Sequence, residues 1–532
     1  MHRTARMATR TLKPSILVAF LTAVSLVYMT TFHSSSSWSW PGECAATPRP
    51  HKPSLASVPP DIKPFDRRQC RLNETRFAEL KERYELQDDF KYAKRLVQFS
   101  RDSQTRRESL TKLSQPLFPF SSARRNWPLQ RSRFDPETDW CSDPIEVNVS
   151  ASNFPQNADA SAFIFGVSTT HHRFEEYHTL LINDWAYWLT DGAGRSNGGT
   201  LLLTLSEATE EQIQEAQRLL RQAGIDAHVQ ASIASPEMAV RYLSLVPAMV
   251  SHPKRLGKRW LVLCDDDTFS PYMHSLTQKL AGFDHTEEIY IGALSEEVYA
   301  VLRHGPQAFG GAGVFLSLRT AERVATLFHE CSSADKVKEA EEQGDRLLHQ
   351  CISRNPDVVL TALQDLWQLD FSGDAAGFYE WGRRPLSLHH YRSWHNAVPG
   401  QLATIAYACG EDCILQRFQT KDDYIISGYS IASYPRGISF AAHQIESTFR
   451  SVYTNEGGNF DYKFGPQRPS LLGTGRKTAW ELREATRQTD GSILQTYVRK
   501  GNDPRWVDKD NVPIDGHDGV IELLWTSAGL TH

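Results

Sequence analysis

The stretch Arg259-Trp-Leu-Val-Leu-Cys-Asp265-Asp-Asp-Thr-Phe269 constrains the fold more than any other part of the chain. Trp260 to Cys264 is an apolar run of strand length, and it stops abruptly at three carboxylates before Ser270-Pro271 opens a helix-like segment. It reads as a buried strand delivering acid to its carboxyl end, the edge of an open α/β sheet where ligands bind. Adjacent carboxylates repel one another, so a cation is expected among them. A hard divalent ion, Mg²⁺ or Mn²⁺, carrying a diphosphate fits best, because such ions take one or two carboxylates and fill the remaining positions with phosphate oxygen. An Asp triplet alone is more often a solvated turn or a helix cap; the strand before it and the helix start after it favour the metal site.

The neighbouring segments repeat the same grammar. Ala162-Phe-Ile-Phe-Gly-Val167 and Leu201-Leu-Leu-Thr-Leu205 read as strands, as do Ile225 to Val229 and Ile289-Tyr-Ile-Gly-Ala-Leu294. Between them lie helical patterns over Phe174 to Leu189, over Ile213 to Ala223 ended by Gly224, and from Ser235-Pro236 to about Val250, with Pro247 bending the last. Strands alternating with helices predict an α/β domain, a mostly parallel sheet flanked by helices, over about 160–400. Beyond it, 401–532 is dominated by strand-like runs: Tyr424 to Ile431, Gly437 to Ala441, Ile493 to Val498 and Val520 to Trp525. We expect a β-rich, sandwich-like C-terminal module.

Before the domain, residues 1–13 carry Arg3, Arg6, Arg10 and Lys13, and Ile16 to Phe32 is free of charge. With no Lys or Arg until Arg49, this reads as a transmembrane signal anchor over 14–32 with a cytoplasmic tail, a type II topology. A cleaved signal peptide is the rival reading. Residues 33–159 read as stem and connector: Ser- and Pro-rich to about Pro64, a helix with apolar spacing over Glu74 to Phe99, then a basic irregular stretch over Arg101 to Arg133. Eight cysteines and the sequons at Asn73 and Asn148 suit an oxidising, lumenal body. Cys331/Cys351 and Cys409/Cys413 are the pairs expected to bridge, with Cys264 a buried free thiol. The net charge of -5 and pI near 6.4 give no reason to expect a nucleic-acid partner.

Three further features carry chemistry. Phe309-Gly310-Gly311-Ala312-Gly313 allows backbone to approach a ligand closely, but it does not follow the first strand as a dinucleotide fold requires. Asp345 stands at the start of a helix-like segment, where taken alone it is a cap. Ser387-Leu-His389-His390 offers imidazoles.

Together and in this order, Phe163-Ile-Phe-Gly-Val-Ser-Thr-Thr170, Leu180 to Trp185, Trp260 to Thr268, Ile289-Tyr-Ile-Gly292, Gly310 to Ser317, Gly344-Asp345 and Ser387 to His390 resemble the Fringe-like β1,3-glycosyltransferases, glycosyltransferase family 31, especially fungal and plant members of uncharacterised function. The resemblance implies a GT-A fold and an inverting enzyme of the Golgi membrane. It would move a hexose or N-acetylhexosamine from a UDP-sugar, with Mn²⁺, to a glycan or glycoprotein acceptor. Carried over by position, Asp265 and Asp266 lie by the donor ribose and sugar, Thr169 and Thr170 under the nucleotide, and Gly310 and Gly311 at the donor. Asp267 binds the metal with His390, or His389, and Asp345 is the catalytic base. Two departures stand out: Gly344 occupies the first place of an acidic pair, and an arginine of the early helix is replaced near Tyr177, with Arg173 the nearest substitute.

A membrane-anchored carbohydrate-binding or scaffold protein with a degenerate transferase domain is the alternative, yet binding alone needs neither metal nor base. A metal-dependent hydrolase lacks support, because the chain has no GxSxG, HExxH or zinc spacing.

Overall fold

The computed structural model describes residues 74–118, 143–450 and 459–528. The tail, the expected anchor and most of the stem lie outside the described residues. Among the described residues no helix is long and apolar enough to cross a membrane.

A seven-stranded sheet runs in the order Leu360–Ala362, Tyr290–Gly292, Val314–Ser317, Trp260–Leu263, Phe163–Thr170, Thr200–Ser206, Ala227–Ala231. Six strands are mutually parallel, and Val314–Ser317 alone runs antiparallel to its two neighbours. The apolar runs are buried on both sides because side chains alternate between two cores. Phe163, Phe165, Leu201, Leu203, Trp260 and Val262 face one core with Trp185 and Trp188 of the helix His171–Leu189. Ile164, Leu202, Leu261 and Leu263 face the other, against the helices Leu245–Val250, Leu318–Cys331 and Gly344–Ile352. The Cys331–Cys351 disulfide ties the last two helices together, Cys409 bridges Cys413, and Cys264 is buried and free, as expected. The helix expected from Ser235 to Val250 is two, Met238–Leu243 and Leu245–Val250, because Pro247 has no N–H to give the Leu243 carbonyl.

The C-terminal region differs from the expected sandwich. It is one mixed sheet of nine strands: Thr111–Lys112, Phe418–Gln419, Tyr424–Ile426, Ser430–Ser433, Thr478–Arg487, Ile493–Arg499, Gly519–Ser527, Lys91–Asp102, Ile145–Ser150. The helix expected over Glu74 to Phe99 ends at Arg83, and Lys91–Asp102 is a strand parallel to Gly519–Ser527 on one side and Ile145–Ser150 on the other. Tyr92, Leu96 and Phe99 fit a helical stripe, but the nine-residue register with Gly519–Ser527 satisfies their backbone and buries both faces, which a solvated helix could not do. Tyr424 to Ile431 folds back as a hairpin, and Gly437 to Ala441 forms no strand. The core that holds Phe165 and Trp185 also holds Trp480, Tyr497 and Trp525, so the two sheets share apolar interior.

Candidate active site

Trp260–Leu263 is buried along its whole length, and its carboxyl end turns through Asp265, Asp266 and Asp267. The turn is held by Thr268, whose hydroxyl accepts from the Asp265 N–H at 3.0 Å and donates to the Gly311 carbonyl at 2.8 Å. Phe269 then forms a two-bond antiparallel bridge with Leu388, at 2.9 and 2.8 Å. This bridge delivers the histidines: the residues after Leu388 are laid against the residues before Phe269.

His389 Nε2 lies 3.1 Å from Asp267 and 3.2 Å from Asp265, while its Nδ1 meets the Gln368 carbonyl at 3.2 Å. His390 Nε2 lies 3.2 Å from Asp370, and the Trp394 ring stacks on His390 with centroids 3.8 Å apart and planes within 6°. His390 adopts φ 49°, a left-handed conformation uncommon for a non-glycine residue and frequent where function holds the backbone. One ligand atom each from Asp267, His389 and His390 falls within 4.8 Å of the others. Two imidazoles and a carboxylate suit Mn²⁺ better than Mg²⁺, which prefers oxygen throughout. Burial by itself would raise the Asp267 pKa, but the neighbouring His389 holds the carboxyl well below the usual range. His389, which burial alone would lower, is carried well above its ordinary value by Asp267 and Asp265.

The three aspartates have separate environments. Asp267 is buried, and Asp265 keeps 42% of its side chain exposed. Asp266 is buried and engaged by the protein: the Arg173 guanidinium grips it at 2.6 and 2.7 Å, and the Thr169 hydroxyl donates to it at 2.7 Å. Asp266, expected beside ribose or sugar, ties the helix His171–Leu189 to the aspartate turn. Thr170 caps that helix, accepting from the Arg173 N–H at 3.1 Å. Arg173 and Arg392 flank the Tyr177 ring at 6.0 and 5.8 Å, the place where the resemblance leads one to expect an arginine.

Asp345 opens the helix Gly344–Ile352, half-buried, and accepts from the Gly310 N–H at 3.3 Å. The glycine turn therefore meets the base candidate directly. Burial, with repulsion from Asp265 and Asp370, pushes Asp345 up to about 6. A Cβ on Gly311 would come within 2.2 Å of the His389 ring, and one on Gly344 within 2.8 Å of the Tyr242 ring. Tyr242 thus explains the glycine where an acidic pair was expected: an aspartate there has no room.

Asp370 was not anticipated from the sequence, since a lone acid in Leu366-Trp-Gln-Leu-Asp370-Phe has no spacing signal. Burial would raise it, but its hydrogen bond to His390 holds it low. Its loop is built by Glu296, fully buried, whose carboxylate accepts from the Gln368 and Asp370 N–H groups at 3.2 and 3.1 Å and pairs with Lys463. Trp394 was missed for the same reason.

The Fringe-like family profile matches residues 202–398, and that of a protein of unknown function, DUF604, matches 302–512. No curated protein matches the sequence. Among solved structures the chain is similar to the glycosyltransferase GlyE of Streptococcus pneumoniae TIGR4, at 16% identity over 43% of this chain and 54% of that one, TM-score 0.29. It is also similar to mouse xyloside xylosyltransferase 1, at 15% identity over 38% and 84%, TM-score 0.25. A third is the mannosyltransferase PcManGT of Pyrobaculum calidifontis in complex with GDP-Man and Mn²⁺, at 14% identity over 33% and 49%, TM-score 0.22. The chain spans about half the length of the first of these. The two profiles overlap on the stretch that holds the glycine turn, Asp345, Asp370 and both histidines, so the chain carries a Fringe-like region over residues 202–398.

Proposed function

We propose that this protein is an inverting, metal-dependent glycosyltransferase of the GT-A type that moves a hexose or N-acetylhexosamine from a UDP-sugar to a hydroxyl of a glycan or glycoprotein, in β1,3-linkage. The observation that carries the reading is the Phe269–Leu388 bridge, which gathers Asp267, His389 and His390 beside an open Asp265 and a half-buried Asp345 with raised pKa. A divalent cation, Mn²⁺ on the donor set present, would be held by Asp267, His389 and His390 and would stabilise the departing diphosphate.

The chain's own groups account for the remaining chemistry. Asp345 takes the proton of the acceptor hydroxyl as its oxygen attacks the anomeric carbon. The bond from that carbon to the diphosphate oxygen breaks with its electron pair on the diphosphate, and attack from the opposite face inverts the configuration. Asp265, the exposed carboxylate of the three, accepts from donor hydroxyls. Asp266 and Arg173, neutralised by each other, hold the helix and the turn in register. Asp370 orients His390 directly, and Glu296 holds the loop that carries Asp370. We place the enzyme in the Golgi membrane as a type II protein with the described body lumenal; the Cys331–Cys351 and Cys409–Cys413 disulfides support an oxidising compartment.

Calorimetry of the full chain with UDP, with and without Mn²⁺, tests the donor site. Mn²⁺-dependent binding that disappears in Asp267→Ala is expected. UDP binding that ignores both the metal and the substitution would overturn the assignment.

A further inference from the structure

Outside the aspartate turn, Lys477 is fully buried between Glu380 at 2.6 Å and Glu446 at 2.8 Å. Arg468 pairs with Glu446 at 3.0 Å and lies over the Phe440 ring at 4.0 Å. Arg417 donates through Nε and Nη1 to the carbonyls of Ser109 and Ala442, neither of them charged. Arg417, Arg468 and Lys477 bring three positive charges, Glu380 and Glu446 two negative ones, so the cluster holds one positive charge in excess.

Donors are also in excess. Arg417 and Arg468 are 4% and 9% exposed, and Arg417 Nη2, Arg468 Nε and Arg468 Nη1 are buried with no hydrogen-bond partner among the described residues. Both side chains line a cavity, shared with Ser427, Ser430, Tyr434 and Glu380, with about 10 Å³ for the centre of a water-sized particle. That is room for one such particle and no polyatomic group. The serine hydroxyls are spent, Ser427 on the Ser430 carbonyl at 3.1 Å and Ser430 on the Glu380 carboxylate, and the other Glu380 oxygen is taken by Lys477. Leaving the Tyr434 hydroxyl aside, the unused donors identified at this void are the guanidinium ones. Burial, with the nearby Arg468 and Arg107 charges, pushes Arg417 down to about 10, as expected of a cation short of counter-charge.

We propose that this cavity binds a single monatomic halide anion, chloride under physiological conditions, between Arg417 and Arg468. One monovalent anion cancels the excess charge, accepts the orphaned N–H groups and fits the space, whereas water would leave the charge uncompensated. The ion joins the two-stranded sheet Ile445–Glu446/Gln467–Arg468 to the nine-stranded sheet entered just after Arg417.

Thermal unfolding of the full chain at constant ionic strength, with sodium chloride or bromide replacing sodium gluconate, tests this. A melting temperature that rises by about 2 °C or more from 1 to 100 mM halide is expected. Arg468→Lys keeps the charge and loses two of the three orphaned donors, and it should abolish the halide dependence. Bromide-soaked crystals should give an anomalous peak between Arg417 and Arg468, a readout that stands if the variant fails to fold. Equal melting in halide and gluconate, an unchanged dependence in Arg468→Lys, or a cavity peak without anomalous signal would each overturn the proposal.

Discussion

The aspartate turn and the Lys477 cluster are both dense gatherings of charge, and they solve the electrostatic problem in opposite ways. At the turn, an exposed Asp265 lies beside a buried Asp267 and a half-buried Asp345, and of the three triplet aspartates only Asp266 has an arginine partner among the described residues. Around Lys477 each carboxylate is paired at 2.6 to 3.0 Å in a buried interior. A site that must take up a cation and pass on a proton leaves its carboxylates under-compensated, whereas a structural cluster cannot tolerate an unpaired charge. Substitutions in the two regions should therefore separate activity from stability.

The largest effect belongs to Asp267→Ala: transfer from UDP-sugar falls below detection in a coupled UDP-release assay, while the melting temperature stays within a few degrees of the parent. Asp345→Asn lowers kcat by about 10²- to 10⁴-fold with UDP affinity retained, as expected for loss of a general base. On the other side, Lys477→Met strands two buried carboxylates and costs about 3–5 kcal/mol in denaturant unfolding, yet the folded fraction keeps its kcat. A Lys477→Met protein of normal stability and lost activity would erase the distinction. Asp370→Asn, one hydrogen bond behind the proposed metal ligand His390, should weaken Mn²⁺ binding by about 10- to 100-fold in a fluorescence or calorimetric titration.

The smallest effect is the sign of the pH response. Because Asp345 is raised from 3.8 to about 6, kcat/KM should climb about tenfold per unit below pH 6 and level off above it. Over the same interval the folded chain binds more protons at Asp345 than the unfolded chain, so this residue's contribution to stability declines as pH rises. Asp345→Asn should remove both slopes; an unchanged rate profile would exclude Asp345 as the base.

Much of the site was legible locally. A strand ending in three acids, the glycine turn and the paired histidines are each a few residues long, and their order carries the resemblance. The sequence could not assign different work to Asp265 and Asp266, because that depends on Arg173 reaching across from another element. Its residues taken alone left Asp345 as a cap, and only the resemblance made it the base, since the Gly310 contact and the burial that raises its pKa come from distant chain.

What the sequence by itself determined is therefore the alternation of strands and helices and the acid at one strand tip, set by periodicity and punctuation; it offered the two disulfide pairs as candidates, and the structure settled both. Only the tertiary structure decided that Lys91–Asp102 is a strand, that Leu388 pairs with Phe269 to bring the histidines to Asp267, that Tyr242 requires Gly344, and that Arg417 meets Arg468. The physical reason is common to all four: each is settled by backbone pairing or packing between segments far apart in the chain, where local propensity allows several answers and burial selects one.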